Sequence, residues 1–288
     1  MVPGLLAAST SSAAFNAVPV TAAEAPTLDI KARSKLQEKR DAYTLLAAWQ
    51  LLLPGEKALC HRHTTFAIRF LIEGSGGYTA VGGKKMYMEK ADLILTTQYD
   101  WHDHGNEGDT PLIWLDGLDM PMFNGSFPIN FQIRLMEHPD FNGQRYHESV
   151  VTKDSPIQFK WKDMREKLVQ AGGSHTRLEY INSEFSDGHV SRTIACFAER
   201  FEGGASSPLR QETCNNIFLV VEGSGETIVS RGDNNVEHTV LQWNQGDTFC
   251  VPSWYRFEHT ASKDSPAFLF NYNDQSALEK LGFYRSAY

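Results

Sequence analysis

From Thr44 to Phe123 the apolar positions come in short runs, each closed by glycine, proline or charged residues: "LAAWQLLLPGE", "FAIRFLIEGSGGYTAVGG", "ADLILTTQYDW" and "PLIWLDGLDMPMF". Short apolar runs bounded by turn residues read as strands, and many in succession predict a sandwich or a barrel. Two stretches break the pattern. "LDIKARSKLQEKRDAYTLL" reads as a short polar helix leading into a strand. "QFKWKDMREKLVQAGG" (Gln158 to Gly173) is rich in helix formers and ends on a Gly-Gly stop, which predicts a helix.

The strand pattern then returns and repeats itself. "FLIEGSGGYTAV" (Phe70 to Val81) matches "LVVEGSGETIVS" (Leu219 to Ser230), and "ADLILTTQYDWHDH" matches "GDTFCVPSWYRFEH" (Gly246 to His259). Two matches in the same order mean two copies of one β-barrel. The expected organisation is a tail and short helix over 1–39, a first barrel over 40–122, a helical connector over 123–179 and a second barrel over 180–288.

Composition narrows the function classes. The chain has 288 residues, of which 41% are hydrophobic, and a net charge of −8. Phosphate contacts need clustered Lys and Arg, so the expected partner is a small molecule and not nucleic acid. Four cysteines without a C-x-x-C pair read as reduced, buried thiols. No apolar run reaches membrane-spanning length. The first 26 residues lack Lys and Arg and so lack the basic part of a leader. A cytoplasmic protein with no membrane association is expected.

The candidate chemistry sits in the first barrel. "GEKALCHRHTTFAIRF" carries His61, His63 and Arg69; "DWHDHGN" carries His102 and His104. Alternate residues of a strand face one side, so His61, His63 and Arg69 can all turn inward, as can His102 with His104 and Leu46 with Ala48 and Gln50. Cys60 then points away. Imidazoles suit Zn, Fe, Cu or Ni. With no acidic side chain at the usual position of a fourth ligand, three protein ligands are expected, His61, His63 and His102, with open positions for substrate and oxygen. His104 is expected to support the site or to do acid–base work. A structural metal site has no need of an inward arginine, whereas an anionic substrate does, and the guanidinium fork fits a carboxylate.

The combination of "PGE", "HRH", R-F-L-I-E-G, W-H-D-H-G-N and W-L-D-G-L-D-M-P resembles the gentisate 1,2-dioxygenase family, whose relatives act on salicylate and 1-hydroxy-2-naphthoate. The resemblance covers roughly residues 44–288 and implies an all-β bicupin fold, two jelly-roll barrels joined by a short helical connector. It implies one Fe(II) per chain, held by His61, His63 and His102 in the N-terminal cupin, with O2 as co-substrate. Arg69, Gln50 and His104 match positions that contact substrate, together with Leu46 and Ala48 on the same strand as Gln50, and Asp116 matches an acid that supports the catalytic network. It further implies a homo-oligomer, a tetramer by resemblance, acting on a small aromatic acid, with gentisate giving maleylpyruvate.

Three departures from the family pattern are visible. Leu46 stands where an aromatic residue is frequent and Ala48 where glycine is common, which keeps salicylate, a hydroxynaphthoate or a biosynthetic phenol as alternative substrates. Residues 1–40 do not match the family's N-terminal region, which keeps a non-catalytic ligand-binding cupin as a further alternative. In the second repeat Arg210 and Glu212 fall at the H-x-H positions and Phe257 opposite His102, leaving His259 opposite His104. No metal is expected there.

Overall fold

The computed structural model describes residues 44–123, 136–137, 149–185, 188–231 and 238–287. The tail and polar helix expected over 1–39, and much of the expected connector, lie outside them. The described chain divides into two compact units, one over residues 46–161 and one formed by residues 44–45 with 162–287.

The first unit contains β1 (Leu46–Leu52), β2 (Lys57–Arg62), β3 (Ala67–Glu73), β4 (Gly77–Val81), β5 (Lys84–Tyr87), β6 (Leu93–Thr96), β7 (His102–Asn106) and β8 (Leu112–Leu118). Three short strands follow, β9 (Met136–Glu137), β10 (Val150–Val151) and β11 (Gln158–Phe159). They form two sheets, ordered β1-β8-β3-β6-β11 and β10-β5-β4-β7-β2-β9. Neighbours are antiparallel except β10 with β5. Phe66, Ile68, Phe70, Leu71, Met86, Leu93, Leu95 and Leu112 are buried. Each such side chain contributes about 1.5–3 kcal/mol on burial, enough to fix the register of both sheets.

Helix α1 (Trp161–Ala171) ends at Gly172 and Gly173, both at positive φ, as the Gly-Gly stop requires. Gln158 and Phe159, at the start of the expected helix, are instead strand, because they pair with Ile94 and Leu93 of β6.

The second unit contains β12 (His175–Tyr180), β13 (Ala195–Phe201), β14 (Arg210–Glu212), β15 (Asn216–Glu222), β16 (Ser224–Ser230), β17 (His238–Asn244), β18 (Thr248–Val251), β19 (Arg256–Ala261), β20 (Ala267–Asn273), α2 (Gln275–Lys280) and β21 (Ser286–Ala287). Its sheets run β12-β13-β20-β15-β18 and β17-β16-β19-β14-β21. With the first unit, this makes an all-β pair of barrels.

The repeat is physical as well as textual. Both E-G-S-G turns place their first glycine at positive φ, Gly74 at 97° and Gly223 at 85°. In each case an added Cβ would strike a proline carbonyl, that of Pro111 or of Pro266. Both preceding strands carry a bulge just before the turn, between Leu71 and Glu73 and between Val220 and Glu222. The turn is one residue longer in the first barrel. Thr79, paired with His104, therefore corresponds to Thr227, paired with His259, although the ungapped strings set Thr79 beside Ile228.

Candidate functional site

The two sheets of the first unit contribute different chemistry. On one, His61 of β2 and His102 of β7 are direct cross-strand neighbours, with ring centroids 4.2 Å apart. His63 lies just beyond β2, its ring 4.7 Å from that of His102 and 5.8 Å from that of His61. All three are buried, and each offers a ligand atom within 4.8 Å of the others. Among the described residues no other set of His, Cys, Asp or Glu is so placed; Cys60, buried in the same strand, is outside the group.

The partners of the rings decide which nitrogen is available. His63 Nδ1 lies 2.8 Å from the Thr65 carbonyl, and His102 Nδ1 lies 2.8 Å from the Asp100 carbonyl. A carbonyl only accepts, so both rings carry the proton on Nδ1 and keep the Nε2 lone pair. His102 Nε2 is buried and has no hydrogen-bond partner among the described residues. Histidine metal ligands are held in this way by an outer acceptor. Burial also lowers the affinity of His63 and His102 for a second proton, most strongly at His102, where neighbouring His61 and His63 add to the effect. Ligation needs the neutral ring. The donor set therefore fits a transition metal.

On the facing sheet, Arg69 of β3 is 4% exposed and its Nε lies 2.8 Å from Asp116 Oδ1 of β8. Its Nη1 lies 3.3 Å from Thr96 Oγ1 and 3.3 Å from His104 Nδ1. Nε meets Asp116 as an ion pair without an aligned hydrogen bond, and Nη1 is shared between Thr96 and His104, which reduces the two-pronged grip on a carboxylate expected of Arg69. Nη2 remains without a partner among the described residues.

Ala48 and Gln50 of β1 stand opposite Asp116 and Trp114 of β8, so the row Arg69, Asp116, Ala48 crosses three strands on one face. Leu46 lies one step along, opposite Leu118. Leu46, Ala48 and Gln50 are half-buried.

His104 is buried within the same interior but outside the three-residue group. Its ring lies 5.7 Å from that of His102 and 6.0 Å from that of Trp114. Its Nδ1 is 3.1 Å from Thr79 Oγ1, and burial beside Arg69 lowers its proton affinity strongly.

Three neighbours escaped the sequence reading. Trp114 shares parity with Asp116 inside W-L-D-G-L-D, a usable signal. Thr79 and Thr96 become visible only once the register of β4 against β7 and of β6 against β3 is known.

In the second unit the interior is built differently. Arg210 pairs with Phe257 where His61 pairs with His102. Rings of Phe218, Phe257, Phe249 and Phe201 surround His259 at centroid distances of 4.6, 5.4, 6.0 and 6.1 Å. Arg210 grips buried Glu199 through Nη1 at 2.9 Å and Nη2 at 3.1 Å, and His175 Nε2 reaches the same carboxylate at 2.9 Å.

Comparison with known proteins agrees with this geometry. A family model described as a cupin domain matches residues 48–118, and one described as cupin matches residues 170–279. The chain is 36% identical to gentisate 1,2 dioxygenase 1 of Aquipseudomonas alcaligenes over 266 residues, 85% of this chain and 74% of the relative. It is 32% identical to 5-aminosalicylate 1,2-dioxygenase of a Comamonas species, over 85% of this chain and 69% of that one. The crystal structure of a salicylate 1,2-dioxygenase from Pseudaminobacter salicylatoxidans superposes with a TM-score of 0.70 at 27% identity, covering 85% of this chain and 75% of that one.

Proposed function

The chain belongs to the gentisate 1,2-dioxygenase family, and from that premise we propose that it is a metal-dependent, ring-cleaving dioxygenase of a hydroxylated aromatic acid, with gentisate opened to maleylpyruvate. One observation carries the reading: a buried three-histidine group on one sheet faces a buried arginine on the other, so a metal and an anion binder share one interior.

His61, His63 and His102 would hold Fe(II), one per chain. When bound, iron supplies a template for substrate and O2 and a route for electron density between them. Arg69 draws the substrate carboxylate through Nη2, while Asp116 holds its Nε and Thr96 its Nη1. That fixed guanidinium orients the ring before reaction. Gln50 offers an amide at the rim, and Leu46 and Ala48 shape the wall beside the ring. His104 faces the same interior and serves the substrate's oxygens. Cleavage falls between the hydroxyl-bearing and carboxylate-bearing carbons, and both oxygen atoms of O2 enter the product. We further infer a cytoplasmic homo-oligomer, a tetramer in keeping with the family resemblance. Among the described residues no helix is long and apolar enough to cross a membrane.

A second substrate class is favoured by β1. Leu46 brings no aromatic ring to the wall and Ala48 adds a methyl where glycine is common in the family. This suits salicylate or a hydroxynaphthoate as alternatives to gentisate. An oxygen electrode with Fe(II)-reconstituted protein and a panel of hydroxybenzoates tests both. Uptake with a carboxylated phenol is expected; uptake only with phenols lacking a carboxylate, or with none, overturns the reading.

A further inference from the structure

Resting on the reading of the first barrel as a catalytic metal site, the geometry points to Thr79 as a positioning residue that, together with Arg69, holds His104 as its Nε2–H tautomer, a hydrogen-bond donor to the bound aromatic acid and not a metal ligand.

Four histidine rings crowd this interior, and the Nδ1 partners of three, His63, His102 and His104, divide those three. His63 and His102 place Nδ1 2.8 Å from backbone carbonyls, which have no proton to give; at His63 the Thr65 hydroxyl also lies 2.8 Å from Nδ1 and can accept as the carbonyl does. Nδ1 is therefore their donor and Nε2 their free lone pair. His104 places Nδ1 3.3 Å from Arg69 Nη1, which has only protons to give. At His104 Nδ1 must accept, and the ring proton sits on Nε2. A ring protonated at Nε2 has no lone pair there for a metal, which explains chemically why His104 stands outside the ligand group despite its matching H-x-H parity.

Thr79 completes the arrangement. Its Oγ1 is 3.1 Å from the same Nδ1, and its other neighbour is the weakly accepting Met88 Sδ at 3.7 Å. The hydroxyl therefore donates to the ring, beside Arg69. His104 Nε2 is buried and has no partner among the described residues. A buried N–H left without an acceptor is unfavourable, and a substrate oxygen that accepts from it removes that cost.

The second barrel holds the same pair without the metal. Thr227 Oγ1 lies 2.7 Å from His259 Nδ1 and accepts from Trp243 Nε1 at 3.0 Å, so its own proton goes to His259. There the phenylalanine rings around His259 leave its Nε2 without a partner among the described residues. Thr227 and His259 thus form an internal reference: the same hydrogen bond, with no substrate to serve.

The test has two arms. In the metal-free protein labelled with nitrogen-15 histidine, long-range proton–nitrogen spectra read each tautomer, with His104 assigned by loss of its signals in His104→Gln. The expected result is Nε2–H at His104 and His259 and Nδ1–H at His63 and His102; Nδ1–H at His104 overturns the proposal. In the iron-loaded enzyme, Thr79→Val should lower kcat about tenfold, the worth of one positioning hydrogen bond, with KM within about twofold and iron content unchanged. Thr79→Ser should restore kcat, and Thr227→Val should leave it at the parental level. Parental kcat in Thr79→Val, or equal impairment in Thr79→Ser, overturns the proposal. If no phenol is turned over by the parent, the functional reading fails, while the nitrogen spectra still decide the tautomer.

Discussion

Replacing Arg69 by lysine separates the arginine's two jobs. The guanidinium makes three polar contacts: Nε to Asp116 at 2.8 Å, and Nη1 to Thr96 and to His104, each at 3.3 Å. Nη2 makes none of them. A lysine ammonium is a single point of charge on a flexible stem. It can stay beside Asp116, so the buried carboxylate keeps a counter-charge and the fold survives. It cannot hold Asp116 and at the same time reach the substrate in the geometry that Nη2 has. A hydrogen bond between charged partners is worth about 1.5–3 kcal/mol, so kcat/KM for a carboxylated phenol should fall by roughly ten- to a hundredfold. Steady-state oxygen uptake measures the loss, and metal analysis of the same sample should show iron at the parental level, because Arg69 lies outside the ligand group. A phenol without a carboxylate should lose far less. Parental kcat/KM in Arg69→Lys, with iron retained, would show that the arginine only balances Asp116 and would refute the substrate role.

Other outcomes follow from the same geometry. The parent should bind about one equivalent of iron and His102→Ala almost none, with the far-ultraviolet β signal kept; two equivalents, or full iron in the variant, sinks the ligand assignment. Asp116→Asn leaves the 4%-exposed Arg69 without its counter-ion and should cost about 3 kcal/mol in urea unfolding, whereas a negligible change would mean the charge is balanced elsewhere. Acid should weaken the metal-free protein: burial holds His259 at about 3 against its ordinary 6.5, so the unfolded chain takes up that proton first and stability is lost as pH falls from 6.5 toward 3, by up to about 1.4 kcal/mol per pH unit. Arg210 holds Glu199 below its ordinary 4.5, which adds loss in the same direction at lower pH. His63, His102 and His104, also held down by burial, add to that slope in the metal-free protein, so His259→Gln should reduce it between pH 6.5 and pH 4.5 without abolishing it; parallel slopes would remove His259 as a cause.

The site was legible where parity alone decides orientation. His61 and His102 had to face inward once their strands were recognised, and Arg69, two residues before Leu71 on the same face, had to follow. Their mutual distances were not legible, because His61 meets His102 only through a register broken by a bulge between Ala58 and His61. Asp116 came from motif resemblance; its pairing with Arg69 is a property of the β3–β8 register. Thr79 was hidden by a turn one residue longer than its repeat partner, an insertion that an ungapped match cannot show. The helix was placed correctly at its glycine stop and too early at its start, because Gln158 and Phe159 find backbone partners on β6, a non-local gain that outweighs local helix propensity.

The two barrels show what the scaffold demands and what the chemistry adds. Equivalent positions can be read from the pairing: Ala48 with Phe197, Arg69 with Phe218, Ile94 with Phe249, His102 with Phe257, and Gln50 with Glu199. In the second barrel four phenylalanine rings fill the interior and Arg210 closes on Glu199, an arrangement of close packing with a matched buried charge. The first barrel gives up that packing. At the same places it carries Ala48, Gln50, Arg69, Ile94 and His102, and it leaves His102 Nε2, His104 Nε2 and Trp114 Nε1 buried without partners among the described residues. Each such atom costs folding free energy, and each lies in the interior that metal and substrate would occupy. The glycine turns, the paired bulges and the Thr–His contact recur in both barrels, so they belong to the fold. Buried nitrogens without partners occur in both barrels, but the three-histidine group does not recur among the described residues, and that difference sets the first barrel's interior apart.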